Sequence, residues 1–148
     1  MLQDIFDKFY LNNHPDGKPP GAFVKGILLL YLGLLIQTLN NYLDGFNFSA
    51  ILFVFVAVGF LIFVTGEGKK WARIILSVLV LLNVFFLGSS LLYSFGILHD
   101  SSAQKKAIEM PVYLIILTLV EIIVELWGWA LMFTKQADWW FNRKNTNR

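Results

Sequence analysis

Residues 117–129 read LTLVEIIVELWGW, an aliphatic run broken twice by a carboxylate, at Glu121 and Glu125. The run sits inside a longer apolar block, 111–134. That block reaches the roughly 20 residues needed to cross about 30 Å of hydrocarbon at about 1.5 Å per residue. Three further blocks of the same kind precede it, at 22–43, 48–65 and 71–98. Four spans in 148 residues leave little chain for anything else. The sequence therefore predicts an all-α integral membrane protein. Its expected architecture is an antiparallel bundle of four transmembrane helices over 22–134, with no separate soluble catalytic module.

Composition agrees with this reading. The chain is 57% hydrophobic and 15% charged, whereas about a quarter of an ordinary soluble domain is charged. The formal net charge is +2. Basic residues stand at the ends of the apolar blocks instead of forming an aromatic-interleaved stripe, so they read as membrane anchors and not as a nucleic-acid surface. The absence of cysteine excludes disulfides and thiolate metal sites. It also argues against animal tetraspan families with cystine-stapled loops. The first block is too long for a signal-peptide core and no small-residue cleavage pattern follows it, so it is expected to be a retained helix.

Positive charge collects on the cytoplasmic side of spans. Lys8, Lys18 and Lys25 precede or open the first span, and Lys69, Lys70 and Arg73 lie between the second and third. Lys135, Arg143, Lys144 and Arg148 follow the fourth. The opposite side has only Lys105 and Lys106, in the loop 98–109. Both termini are thus expected in the cytoplasm, with the protein in a cell (inner) membrane. The tryptophans point the same way: Trp71, Trp127, Trp129, Trp139 and Trp140 fall towards the expected inner interface, and Tyr42, Tyr93 and Tyr113 near the outer one. Amphipathic rings favour headgroup depth. Trp71, Arg73, Trp139 and Trp140 are accordingly expected to act as interface anchors.

Ahead of the bundle, residues 1–21 are expected to form a cytoplasmic segment. Leu2, Ile5, Phe6 and Phe9 share one face at i, i+3, i+4 and i+7, which predicts a short amphipathic interfacial helix; a frayed terminus is the alternative. NNHPDGKPPG is a linker. The turn around NNYLDGFN is tight, so the first two spans are expected to pack as an antiparallel hairpin, and Pro111 suits the first turn of the last helix. The tail 135–148, QADWWFNRKNTNR after Lys135, is aromatic and basic and open to cytoplasmic partners.

Lipid competes with apolar side chains, so small and polar residues mark the interior of a membrane bundle. Gly26, Gly33, Gln37 and Asn40 share a face of the first span; Asn83, Ser90 and Ser94 share one on the third; Thr118, Glu121, Glu125 and Gly128 form a stripe on the fourth. The second span, ILFVFVAVGFLIFV, has no strongly polar residue at its centre and is expected to be the most lipid-exposed. An acidic side chain at mid-membrane is unfavourable by about 2.5 kcal/mol or more. The prediction is therefore an inward-facing polar cluster of Glu121, Glu125, Asn83 and Gln37, with Lys25 as countercharge. Two carboxylates one helical turn apart repel each other, and burial disfavours charge, so at least one is expected to hold a proton at neutral pH. Such a pair either glues helices or subunits together or works as a proton site.

No nucleophile elbow, phosphate-binding glycine loop or paired-histidine metal helix is present. His14 and His99 fall in loops on opposite sides. No catalytic residue, metal or cofactor is therefore assigned, and the chain is expected not to be an enzyme. At TGEGKKWARIILSVL and MFTKQADWWF the back half of the chain resembles a loose group of small four-span bacterial inner-membrane proteins. In these, Trp-Ala-Arg opens the third helix and Ala-x-x-Trp-Phe follows the fourth. Here the matching residues are Trp71, Ala72 and Arg73, then Ala137, Trp140 and Phe141. The resemblance implies fold and location; members of the group mostly lack an assigned activity. Small multidrug-resistance transporters share the four-span plan but carry their essential acid in the first helix, where this chain has none. The leading expectation is a non-enzymatic inner-membrane protein acting through a membrane-protein partner or a homo-oligomer, as an accessory subunit or immunity-type protein. The alternative is a small proton-coupled transporter or channel that uses Glu121 and Glu125.

Overall fold

The computed structural model describes residues 19–95 and 111–142. The expected interfacial helix near residues 2–9 and the polar loop 98–109 lie outside that range. Among the described residues there are five α-helices and no strand: α1 Gly21–Leu43, α2 Phe48–Gly66, α3 Lys70–Ser94, α4 Val112–Met132 and α5 Lys135–Asn142. The first four are long and apolar enough to cross a membrane. The protein is thus an all-α, multi-pass membrane protein built on a four-helix bundle, as its hydropathy blocks predict.

The helix ends follow local chemistry. Pro20, in an extended conformation, stands directly before α1. Gly45 turns the chain between α1 and α2 at φ 80°, a region where a side chain would be strained. Asn47 then caps α2, its side-chain oxygen accepting from the Ser49 N–H at 2.9 Å. Gly68, at φ 81°, makes the corresponding turn after α2. Two boundaries depart from expectation by more than one residue. α3 ends at Ser94 instead of 98, and α4 ends at Met132 instead of 134. The cause of the second is Thr134, whose hydroxyl accepts from the Ala137 N–H at 3.3 Å and so starts a new helix.

The four long helices close a ring in which each packs on its chain neighbours, and α1 packs most closely on α4. A Cβ placed on Gly26 would stand 3.0 Å from the Gly128 carbonyl oxygen and 3.1 Å from Leu131 Cβ; one on Gly128 would stand 3.1 Å from the Gly26 carbonyl. Backbones that near can touch only through glycine, the usual means of joining helices in lipid. The core around this seam includes Phe23, Ile27, Leu30 and Leu34 of α1, Ile62 of α2, Leu76 of α3 and Met132 of α4. On the hairpin side the Tyr31 hydroxyl donates to the Gly59 carbonyl at 3.4 Å, as an antiparallel α1–α2 pair requires.

Phe53, Phe60, Phe85 and Phe86 face outwards from α2 and α3. The expectation that α2 is the most open span is corrected: α3 buries 22% of its apolar stretch, against 28% for α2. Its seams on both sides are looser than the glycine seam between α1 and α4. The tail also differs from expectation. Residues 135–142 form α5, which folds back onto the bundle and buries Ala137, Trp140 and Phe141 at i, i+3 and i+4, so that this part of the tail is docked.

Two glycine variants separate the seam from the open face. Gly26→Val is expected to lower unfolding stability by about 1–3 kcal/mol through overpacking against backbone. Gly88→Ala, where a Cβ meets open space, is expected to leave it unchanged or raise it by about 0.5–1 kcal/mol. Denaturant titration in mixed micelles measures both.

Candidate functional site

Glu121 lies one residue from the midpoint of α4, and Asn83 one residue from the midpoint of α3. At that depth backbone groups are committed to the helices, so side-chain amides supply the donors. Glu121 is 0% exposed and Glu125 6%. The Asn83 amide donates to both oxygens of Glu125, at 3.0 Å each, and to Glu121 Oε1 at 3.3 Å. The amide of Asn40 donates to Glu121 Oε2 at 3.0 Å and to the Thr118 hydroxyl oxygen at 3.1 Å. Gln37 in turn donates to Asn83 Oδ1 at 3.0 Å, which orients the Asn83 amide towards the acids. All four carboxyl oxygens are therefore met by an N–H. An amide has two N–H bonds, so Asn83, with three acceptors, shares at least one between oxygens. The network ties α1, α3 and α4 together and leaves α2 out.

Sequence reasoning placed four of these residues together, and the structure does bring Glu121, Glu125, Asn83 and Gln37 into one cluster. Gln37 reaches it only through Asn83. Lys25 is corrected. It is exposed and makes no ion pair with either glutamate. Its neighbour Gly26 faces α4, and one residue further round an α-helix is about 100° away, so Lys25 shares the depth of the acids' helix end but not their face. Asn40 and Thr118, which share the expected stripes, join the cluster as well; Asn40 is the direct partner of Glu121. The signal was its position three residues beyond Gln37, on the same face. Gly33 completes the site from below: a Cβ there would lie 2.9 Å from Glu125 Cγ, so the glutamate's stem passes over a notch that only glycine leaves.

Among the described residues no three acidic or histidine side chains converge as a metal cage would require. The arrangement offers two carboxyls, three amides and a hydroxyl, a set suited to holding helices together or to passing a proton among its members.

The expected interface anchors divide. Trp71 and Trp139 are exposed. Trp140 is not an anchor: it is 6% exposed, its ring 6.4 Å from that of Phe23 and its indole N–H directed at the Gly66 carbonyl at 3.4 Å. Arg73 is held between rings, its guanidinium carbon 4.0 Å from the centre of Phe133 and 4.7 Å from that of Phe141, and it pairs with Asp138 at 2.6 Å. Cation–π contacts contribute about 0.5–2 kcal/mol each. An ion pair with a half-exposed partner such as Asp138 contributes about 0–1. The rings therefore fasten α5 more than the ion pair does.

Comparison with protein families, curated proteins and solved structures gives no match to this chain.

Asn83→Ala is expected to cost about 1–3 kcal/mol, because it strips Glu125 of its amide donor. Gln37→Ala, which removes one interhelical hydrogen bond, is expected to cost nearer 0.6 kcal/mol. Adding Glu125→Leu to Asn83→Ala is expected to restore part of the loss, a coupling that a double-mutant cycle in micelles reads directly. For α5, Asp138→Asn is expected to cost less than Arg73→Ala in the same assay, since the aromatic contacts survive only in the former.

Proposed function

We propose that this chain is a non-enzymatic protein of a bacterial inner membrane that acts by associating with a membrane partner or with a second copy of itself, as an accessory subunit or immunity-type protein. The observation that carries this reading is the occlusion of Glu121, 0% exposed and hydrogen-bonded through both oxygens to amides of two other helices. A carboxyl so held is arranged as an interhelical fastening and is shut off from water. The bias of basic residues supports a cytoplasmic placement of both termini. The likeness around Trp71–Arg73 and Ala137–Phe141 supports the bacterial inner membrane. A second reading, a proton-linked carrier or channel working through Glu121 and Glu125, has one observation in its favour. Gln37 and Asn83 are only half-buried and line up towards the acids.

Extraction into polymer-bounded discs that keep native lipid, followed by mass measurement, tests the first reading. Particles are expected to hold more protein than one 17.0 kDa chain; a single chain as the sole protein would count against association. Reconstituted vesicles test the second. Cation flux driven by a pH gradient is expected to match protein-free vesicles, and a flux that disappears in the Glu121→Gln, Glu125→Gln double variant would establish a carrier instead.

A further inference from the structure

At the end of the bundle where α3 begins and α5 folds back, the two helices leave a cavity of about 380 Å³ between them. That size falls within the roughly 300–1,000 Å³ of small-molecule clefts. Lys70, Arg73, Asp138 and Asn142 form its polar side, and Ile74, Phe133 and Phe141 its apolar side. The charges there do not cancel. Arg73 and Asp138 are spent on each other at 2.6 Å, and the guanidinium is covered by the two phenylalanine rings. Lys70 is exposed and has no acidic partner among the described residues, so its ammonium group is the uncompensated charge at the mouth.

Lys70 and Ile74 are four residues apart and so share one face of α3, with Ile74 one turn deeper along a membrane-spanning helix and 65% exposed. The cavity thus joins a positive charge at the end of a span to an apolar wall that descends along it. Trp71, exposed beside Lys70, marks headgroup depth. Lys69, which precedes α3, has no side-chain cap, and the N–H groups of the first turn add to the positive potential there. A molecule that satisfies all of this carries a phosphate above and a hydrocarbon chain below.

We propose that this cavity binds an anionic phospholipid, its phosphate against Lys70 and one acyl chain along Ile74 and Phe133. The recognised chemistry is a phosphate group, which a lipid headgroup or a free phosphate ester can supply; the apolar wall selects the lipid. Native mass spectrometry of the detergent-solubilised protein tests this by titration with phosphatidylglycerol, phosphatidylcholine and glycerol phosphate. Wild type is expected to retain phosphatidylglycerol roughly fivefold better than phosphatidylcholine, the increment of one basic residue near an anionic lipid. Lys70→Glu and Lys70→Gln are expected to abolish that preference, and Ile74→Ser to weaken both lipids. The proposal is overturned if wild type holds the two lipids equally or if both Lys70 variants keep the preference. Binding of glycerol phosphate as tight as that of phosphatidylglycerol would overturn the lipid as its source. Both positions are exposed, so folding is expected to survive each change, with circular dichroism as the control.

Discussion

Two carboxyl groups at the depth of Glu121 and Glu125 must find N–H donors inside the protein, because lipid supplies none. That demand shapes the bundle. The donors reside on α1 and α3, so both helices must come within amide reach of α4 at one level. On the α1 side this is possible because Gly26, Gly33 and Asn40 recur every seven residues and meet Gly128, Glu125 and Glu121 in turn. Their partners on α4 step by three and four residues, so the contacts gather on two turns of that helix. Glycine sets how near the helices lie, and the asparagine sets their register, since a shift by one residue would take Asn40 away from its acid.

A second fastening works on different physics. α5 is short, and eight residues make a marginal helix alone. It is held by what it buries: Trp140 against Phe23 and the turn at Gly68, and Phe141 edge-on to Phe23 at 5.4 Å. Arg73 lies between Phe133 and Phe141, linking the start of α3 to the corner after α4. The bundle is therefore closed by amides at mid-depth and by aromatic rings at one end.

The four spans were legible because a bilayer demands long apolar runs, and the inward stripes because lipid leaves polar side chains only one direction to point. Thr118, Glu121, Glu125 and Gly128 are all buried, as their spacing required. Which amide meets which acid depends on the stagger between helices, which hydropathy does not encode; Asn40, eight residues past the middle of α1, bonds to the middle of α4. Depth along the helix suggests Lys25 as countercharge, but the angle around it turns the side chain to an exposed position. The docking of α5 did leave a trace, in the Thr134 cap followed by Ala137, Trp140 and Phe141 on one face. Read for its aromatic and basic composition, the same stretch resembled an open tail. Adjacent tryptophans cannot be told apart by type alone: Trp139 is exposed and Trp140 buried because helical rotation separates them.

The helices are unequal in length, and the inequality has a mechanical meaning. α2, with 19 residues, spans about 28 Å and matches a hydrocarbon layer of about 30 Å; α3, with 25, runs to about 37 Å. The longer rod must lean or protrude, and its packing against the neighbouring helices sets how far. Asn83 sits within one residue of its centre, the level that a lean displaces least, and from there it serves both acids at once.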